Sequence, residues 1–391
     1  MNQTPEITFL LENDSILSFT LSGVDKCFAN GLRRTILCDI PTVVIRTEDN
    51  EVNQCTIHKN TSRLHNEIIR QRISCIPIHA YEPDFTEKYT LEIHVQNRDE
   101  HIIRMVTTKD IRLREKGSNP AKYLSEEETH KIFPANEITG HYIDIVRLRP
   151  KQGNTIPGEE FQLSANFSVG TAKINSMFNA VTVCTYGFSP DKARTIETWE
   201  ALEKKYVSEN HTKDEIAHMK SDFEHLDAQR IFLQDSFDFR VKSVGVYQNK
   251  DIVHKACSLL CSRFDKIISA LDENIVPIVE SHSSRKNGFE SVIESTMENA
   301  FDIILKNEDD TLGNILSFMM YQYYFLGENG NGGEDAPLSY CAFKKFHPHD
   351  TYGVLRLAYK KTVDKSEIIA ALKLVLKESR GIMEGVRKMM K

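Results

Sequence analysis

A chain of 391 residues exceeds one ordinary domain and suits two or three. Its 40% hydrophobic content is enough for packed cores and excludes bulk disorder, and a formal charge of −7 excludes a surface that grips nucleic acid over most of its area. No run approaches the roughly 18 apolar residues of a membrane span, and Met1 to Glu6 lacks a signal peptide's basic and apolar regions. The expectation is a soluble, intracellular protein with no membrane partner.

Near the N-terminus Leu17, Phe19 and Leu21 alternate with polar neighbours, the period of a half-buried strand. Asp25 follows as a helix cap, and Phe28-Ala29-Asn30-Gly31-Leu32 opens an apolar stretch running to Cys38. A large insertion then occupies residues 46–235, with strand-like runs at Tyr89 to Val95, Ile102 to Thr107 and Phe161 to Val169 and a turn cluster at Lys151-Gln152-Gly153-Asn154. Within it, residues from about 196 to 227 form a charged helical excursion with few apolar anchors, read as a solvated face. Phe237, Phe239 and Val241 make the next strand before Gly245. A helix then begins near Asp251, with Val253, Cys257, Leu260, Phe264, Ile267 and Leu271 on one stripe.

Residues 277–288, rich in serine and charge, read as a linker. Beyond it Phe301, Ile303 and Leu305 alternate as a strand, Asp309 takes the cap position, and Leu312-Gly313-Asn314-Ile315-Leu316 opens a helix. Gly327 to Glu334 is a glycine-rich loop that lacks the Lys-Ser/Thr pair of a phosphate cradle. Leu355, Leu357 and Tyr359 form a strand. A helix from about Asp364 carries Ile368, Leu372, Val375, Ile382, Val386 and Met389 on one stripe, interrupted by Ser379.

The ends of the chain repeat one another. A constant offset of 284 residues, as from 30 to 314, carries Asn30 onto Asn314, Asp25 onto Asp309, Leu32 onto Leu316 and Leu21 onto Leu305. Each copy is strand, helix, strand, long helix, and each leaves a helix stripe that a second copy would cover. The expected fold is α+β: two pseudo-symmetric dimerisation modules packed together, the first interrupted by a mostly β insert. The expected domains are 1–45 plus 236–276 for the first module, 46–235 for the insert, 277–288 for the linker and 289–391 for the second module.

The eight cysteines form no CxxC pair and sit mostly among apolar neighbours, so they read as small buried hydrophobes, and neither a cofactor nor a metal is expected. A redox role for Cys257 and Cys261 is the alternative; the place of Cys257 on the helix stripe favours packing. Two further features invite an enzyme reading. Glu308-Asp309-Asp310 has the composition of a Mg²⁺ site and His347-Pro348-His349-Asp350 that of a zinc site. The plain alternatives are a helix N-terminus, where acids are favoured, and a hairpin turn. P-loop, GxSxG, HExxH and polymerase triple-Asp motifs are all missing, so the chain is not expected to be catalytic alone. Besides a metal-dependent hydrolase, the other class to weigh is a stand-alone nucleic-acid adaptor, suggested by the basic tail Arg380, Arg387, Lys388 and Lys391.

Four segments, in order, resemble the alpha-like subunits of multisubunit RNA polymerases, in particular the third subunit of the eukaryotic enzyme and archaeal D. They are Phe28 to Leu37 continuing through Ile40-Pro41-Thr42; Asn60 to Glu67 with Arg70-Gln71-Arg72 and Ile76-Pro77; Pro157 to Phe161 followed by Gly170-Thr171-Ala172-Lys173; and Phe237 to Val241 with Ser243-Val244-Gly245. The C-terminal part resembles the eleventh subunit, or archaeal L, through Asp310 to Leu316 and Ala342 to Pro348. In that family the two subunits form a heterodimer that nucleates assembly of the two largest, catalytic subunits. The resemblance therefore implies a non-catalytic assembly scaffold of a DNA-directed RNA polymerase with both partners fused in one chain. Its partners would be the largest and second-largest subunits and small zinc-binding subunits, with DNA reached only through the complex. Such fusions are a habit of large DNA viruses, which implies a viral factory in the host cytoplasm, the packaged virion or the nucleus.

The resemblance also implies site residues. For subunit docking they are Asn30, Leu32, Arg33, Arg34, Pro41, His65, Asn66, Glu67, Arg70, Arg72 and Lys173. For the intramolecular interface they are Phe28, Leu260, Phe264, Ile267, Leu312, Gly313, Asn314, Leu316, Leu372 and Val375. Without the resemblance, Arg33 and Arg34 read as a solvated helix face, and His65 to Arg72 reads equally well as local capping with i,i+3 pairs. Many relatives carry metal-binding cysteines in the insert; here no cysteine lies between Pro77 and Leu163, so packing alone must hold it. The second copy has Leu316-Ser317-Phe318 where the first has Leu32-Arg33-Arg34, which implies two different docking faces.

Overall fold

The computed structural model describes residues 4–80, 84–153, 155–280, 297–326 and 336–390. Asn154, the linker from residue 281 on and the Gly327 to Glu334 loop lie outside the described residues. The chain begins with β1 (Glu6–Asn13), β2 (Ile16–Ser22) and α1 (Lys26–Cys38). It continues with β3 (Thr42–Val44), β4 (Cys55–Asn60), α2 (Asn66–Ser74), α3 (Phe85–Lys88), β5 (Tyr89–Gln96), β6 (Arg104–Thr107) and β7 (Arg112–Glu115). Next come α4 (Glu126–Ile132), β8 (Asp144–Leu148), β9 (Glu160–Asn166), β10 (Ser168–Gly170) and β11 (Val181–Pro190). Then follow α5 (Lys192–Ser208), α6 (Lys213–His225), β12 (Phe232–Ser243) and α7 (Asn249–Asp272). The last elements are β13 (Ile278–Glu280), β14 (Ala300–Lys306), α8 (Asp310–Met320), β15 (Leu338–Lys344), β16 (Tyr352–Tyr359) and α9 (Lys365–Met389). None of the described helices is long and apolar enough to cross a membrane.

Two compact units emerge. One gathers Met1–Thr35, Val183–Val241 and Val253–Lys391; the other gathers Ile36–Thr182 and Lys242–Ile252. The first unit holds two four-stranded sheets, ordered β1-β2-β12-β11 and β13-β14-β16-β15. Both sheets place an edge strand, then the strand ahead of the short helix, then two further strands in reversed order. β1 and β2 are joined by a two-residue turn, Asp14 and Ser15, both at positive φ, whose twist suits a tight hairpin. Leu17, Phe19 and Leu21 point into the core with Phe237, Phe239 and Val241, and the Phe19 and Phe239 rings stack at 5.0 Å.

Three features of this unit depart from the sequence reading. β11 lies inside the span read as insert yet completes the first sheet, and β13 begins inside the span read as linker and pairs Ile278 with Ile303. Both are edge strands, and neither shows clean alternation. β14 was expected to be half-buried, but Asp302 and Ile304 are buried as fully as their neighbours. The carboxylate of Asp302 is tolerated because Arg356, directly opposite on β16, grips it with Nε at 2.6 Å and Nη2 at 2.7 Å.

The helical excursion is the antiparallel pair α5 and α6, set between β11 and β12. Asp191 and Thr212 cap the two helices. Trp199 and Phe223 meet at 5.5 Å, with Tyr206 at 6.4 Å from Trp199, so a small aromatic cluster holds an otherwise charged hairpin.

The second unit is built on the antiparallel sheet β4-β9-β5-β7, with the pairs β6-β8 and β10-β3 beside it. Its core includes Cys55, Ile69, Ile73, Leu91, Ile93, Leu113, Phe133, Ile145, Phe161 and Leu163. The Pro157 to Phe161 segment is architectural. A side chain at Gly158 would strike the Asn97 carbonyl, and the buried Glu159 accepts from the Arg149 backbone N–H and Nε, each at 2.7 Å. Gly170 is equally constrained, because a Cβ there would lie 2.8 Å from Val44 and 2.9 Å from Phe178.

Candidate pairing and docking surfaces

The short helices α1 and α8 begin alike. The Asp25 carboxylate accepts from the Cys27 N–H at 2.8 Å, and that of Asp309 accepts from the Thr311 N–H at 3.0 Å. Each satisfies one of the donors that a helix start leaves open. The two helices then approach closely, because a Cβ on Gly31 would lie only 2.8 Å from Ile315 Cδ1. Around this crossing Arg34 Nε donates to Thr311 Oγ1 at 2.9 Å and its Nη2 lies 4.0 Å from Asp309. Arg263 on α7 donates to Glu308 through Nε (3.1 Å) and Nη2, and sits 3.6 Å from Asp309. Their side chains keep only 16% and 12% exposure, so this pair is poorly screened. Of the acids considered as a Mg²⁺ site, Asp309 is thus a cap and Glu308 an ion-pair partner, while Asp310 opens the first turn of α8.

The long helices α7 and α9 run antiparallel against each other. Asp272 pairs with Lys373 at 2.5 Å, and Asp265 pairs with Arg380 at 2.8 Å. The Cys261 thiol donates to the Arg380 carbonyl at 3.7 Å. Val253, Cys257, Leu260, Phe264, Ile267 and Leu271 are buried, as are Ile368, Leu372, Val375, Ile382 and Val386. Ser379 is also buried and donates to the Val375 carbonyl at 2.8 Å, so the one polar interruption costs little. Burial pushes the Cys257 thiol far up.

Of the residues expected at the pairing interface, Phe28, Leu260, Phe264, Ile267, Leu312, Gly313, Leu316, Leu372 and Val375 are buried. Asn314 is exposed, because its place on α8 faces away from the helix's packed side. Gly313 makes its close approach to Phe343 of the helix's own sheet. The glycine that admits the other helix is Gly31.

The expected docking residues divide. Leu32 is wholly buried and is a core residue. Arg34 is spent on α8, as described. Arg33, half-buried, donates from Nε and Nη2 to its neighbour Asn30 at 3.1 and 2.8 Å. Pro41 is half-buried and its carbonyl accepts from Tyr247 Oη at 2.9 Å; Lys173 is exposed and its N–H donates to the Cys38 carbonyl at 2.9 Å.

The strongest presentation is the loop entering α2. Asn60 Nδ2 donates to the Leu64 carbonyl (2.8 Å) and to Asn66 Oδ1 (2.7 Å), while its Oδ1 accepts from Ser62 N–H and Oγ. That fastened loop leaves Arg63, His65, Asn66, Glu67 and Ile68 exposed. His65 occupies the cap position yet makes no cap hydrogen bond, and Arg72 donates to the Ile145 carbonyl at 2.9 Å. Arg70 is half-buried, and its Nε has no hydrogen-bond partner among the described residues. The local capping and i,i+3 pairs suggested by the sequence are therefore not what orders this segment. The His347 to Asp350 stretch is a turn in which the Asp350 carboxylate accepts from the His347 N–H at 2.9 Å.

Two antiparallel four-stranded sheets with the short helices α1 and α8 and the long helices α7 and α9 make the first unit a mixed α+β fold. Residues 18–264 match the RNA polymerase Rpb3/Rpb11 dimerisation domain, and the chain belongs to that family of RNA polymerase alpha-like subunits. Its relatives include the DNA-directed RNA polymerase subunit Rpo3 of Methanosphaera stadtmanae, 25% identical over 67% of this chain and 97% of the relative. Rpo3 of Methanothermobacter thermautotrophicus is 23% identical over 68% and 98%. The human DNA-directed RNA polymerases I and III subunit RPAC1 is 24% identical over 46% of this chain and 53% of its own length.

Proposed function

We propose that this chain is an intramolecular alpha-like pair, the third-subunit-like and eleventh-subunit-like partners fused, and that it docks the two largest subunits of a DNA-directed RNA polymerase without catalysing anything itself. The carrying observation is that helices of the two halves cross at mutually equivalent residues, as at the axis of a twofold pair. Gly31 meets Ile315, and these differ by the same 284 residues that relate the capping aspartates. Asp265 meets Arg380, a shift of 115. The same shift carries Val253, Cys257, Leu260, Phe264, Ile267 and Leu271 onto Ile368, Leu372, Val375, Ser379, Ile382 and Val386. The matching strand order of the two sheets supports the same reading.

On this reading the first module comprises residues 1–45 and 236–276 together with β11, the second comprises 289–391 with β13, and the insert stands between α1 and β11. Arg33 with Asn30, and the fastened loop bearing His65, Asn66 and Glu67 with Arg70 and Arg72, are the surfaces offered to the second-largest subunit. The second module offers a different face to the largest subunit. Small zinc-binding subunits are further expected neighbours. A large DNA virus, with assembly in its cytoplasmic factory, is the source that a fused pair suggests. Affinity capture of the tagged chain from its native source tests the function: the two largest polymerase subunits should be recovered with it. Recovery of the chain alone, carrying a hydrolase activity that Asp310→Ala abolishes, would overturn the reading.

A further inference from the structure

The contacts flanking the α1/α8 crossing are unequal on its two sides. On one side Arg263 and Arg34 hold Glu308, Asp309 and Thr311. Carried to their counterparts by the shifts of 115 and 284, Arg263 becomes Glu378, Arg34 becomes Phe318, Glu308 becomes Val24 and Thr311 becomes Cys27. On the other side Asp25 keeps the place of Asp309, and an acid, Glu378, stands where the first side has its cation. Glu378 lines a shallow cleft with Thr4 and Pro5, and the Thr4 carbonyl lies against Gly23, next to Val24. That is where the counterpart of the Arg263–Glu308 contact belongs.

We propose that this one-sided ionic lock determines pairing specificity: it accepts a first module against a second module and rejects a second module against another copy of itself. The proposal rests on the two-module reading given above. In a pairing of two second modules, Glu378 of one would face Glu308 of the other, and the poorly exposed Glu308 would lose its cation and gain a like charge. In a pairing of two first modules, Val24 would replace Glu308 opposite Arg263, leaving a guanidinium at 16% exposure with only Asp25, the counterpart of the more distant Asp309, in place of its hydrogen-bonded partner. Only the mixed pairing gives Arg263 and Glu308 to each other and keeps Glu308 away from Glu378. The partner this surface fits is a second module, and the covalent tether makes that the second module of the same chain.

The test uses the full chain, with light scattering after size exclusion over a range of concentrations and thermal unfolding alongside. Glu308→Arg sets two cations against each other within the chain and an attraction to Glu378 between chains, so the variant should move toward twice the 44.8 kDa of one chain. Glu308→Gln should unfold at a lower temperature and remain a monomer. Adding Glu378→Lys to Glu308→Arg should restore the single-chain mass. A monomeric Glu308→Arg, or self-association or aggregation that Glu378→Lys leaves unchanged, overturns the lock. Recovery of the large polymerase subunits with the unaltered chain reports on the scaffold reading separately, so the two failures are distinguishable.

Discussion

At the start of α1 and of α8 the chain solves one problem twice, with an aspartate accepting from the N–H two residues on. A turn later the solutions part. Arg33 holds Asn30 and Arg34 reaches across to α8, whereas their counterparts Ser317 and Phe318 carry no charge. α8 then leads into a π turn, Tyr321–Phe325, with Tyr321 and Tyr323 partly exposed and Tyr321 stacked on Phe325 at 4.8 Å. The lesson is that two helix starts with the same cap can carry different charges one turn on, and the arginines of α1 and α7 both reach the start of α8. Two adjacent arginines of one motif have different partners, Arg33 on its own helix and Arg34 on α8.

The largest effect expected from disturbing this contrast is at Arg263. Arg263→Ala strands Glu308 at low exposure and should cost about 3 kcal/mol in urea unfolding, the low end of the range for breaking a buried pair. A loss under about 0.5 kcal/mol, the ordinary surface value, would mean that the pair is solvated in practice. Gly31→Val comes next, since a branched side chain there collides with Ile315; about 1–3 kcal/mol of destabilisation is expected, the usual range for overpacking. Gly381 on α9 faces open space, so Gly381→Ala should instead stabilise by about 0.5–1 kcal/mol through helix propensity. Opposite signs at the two glycines would sharpen the distinction between a crossing point and a plain helical site; equal signs would break it.

Smaller still in stability, though not in assembly, is Arg33→Glu. It should leave the unfolding midpoint within about 0.5 kcal/mol of the parent and reduce recovery of the second-largest subunit. Arg34→Glu should lower the midpoint first, because it sets a carboxylate beside Asp309. Thiol labelling at mildly alkaline pH gives the gentlest check on burial. Cys75 is exposed and should react first, whereas burial pushes Cys55 and Cys184 up to about 12 and should keep both unlabelled in the native chain.

Much of this was legible in the residues. The 284-residue offset found the paired caps, and the two helix stripes found the buried faces of α7 and α9, because amphipathic periodicity is written in the sequence that produces it. The edge strands β11 and β13 were not legible, since an edge strand needs little alternation when a neighbour supplies its register. Asp302 and Glu308 were hidden for a different reason: a lone acid in an apolar or acidic run gives no sign of the arginine, 54 or 45 residues away in sequence, that neutralises it. Leu32 and Asn314 were misplaced because a motif names neighbours along the chain without saying which face of the helix each one occupies.

The central claim is that one chain does the work of a pair, and stoichiometry tests it most directly. Native mass spectrometry of the intact polymerase captured through this chain should give one copy of the chain for one copy of each of the two largest subunits. Two copies of the chain in that assembly, or one copy beside a separate second alpha-like subunit, would contradict the account.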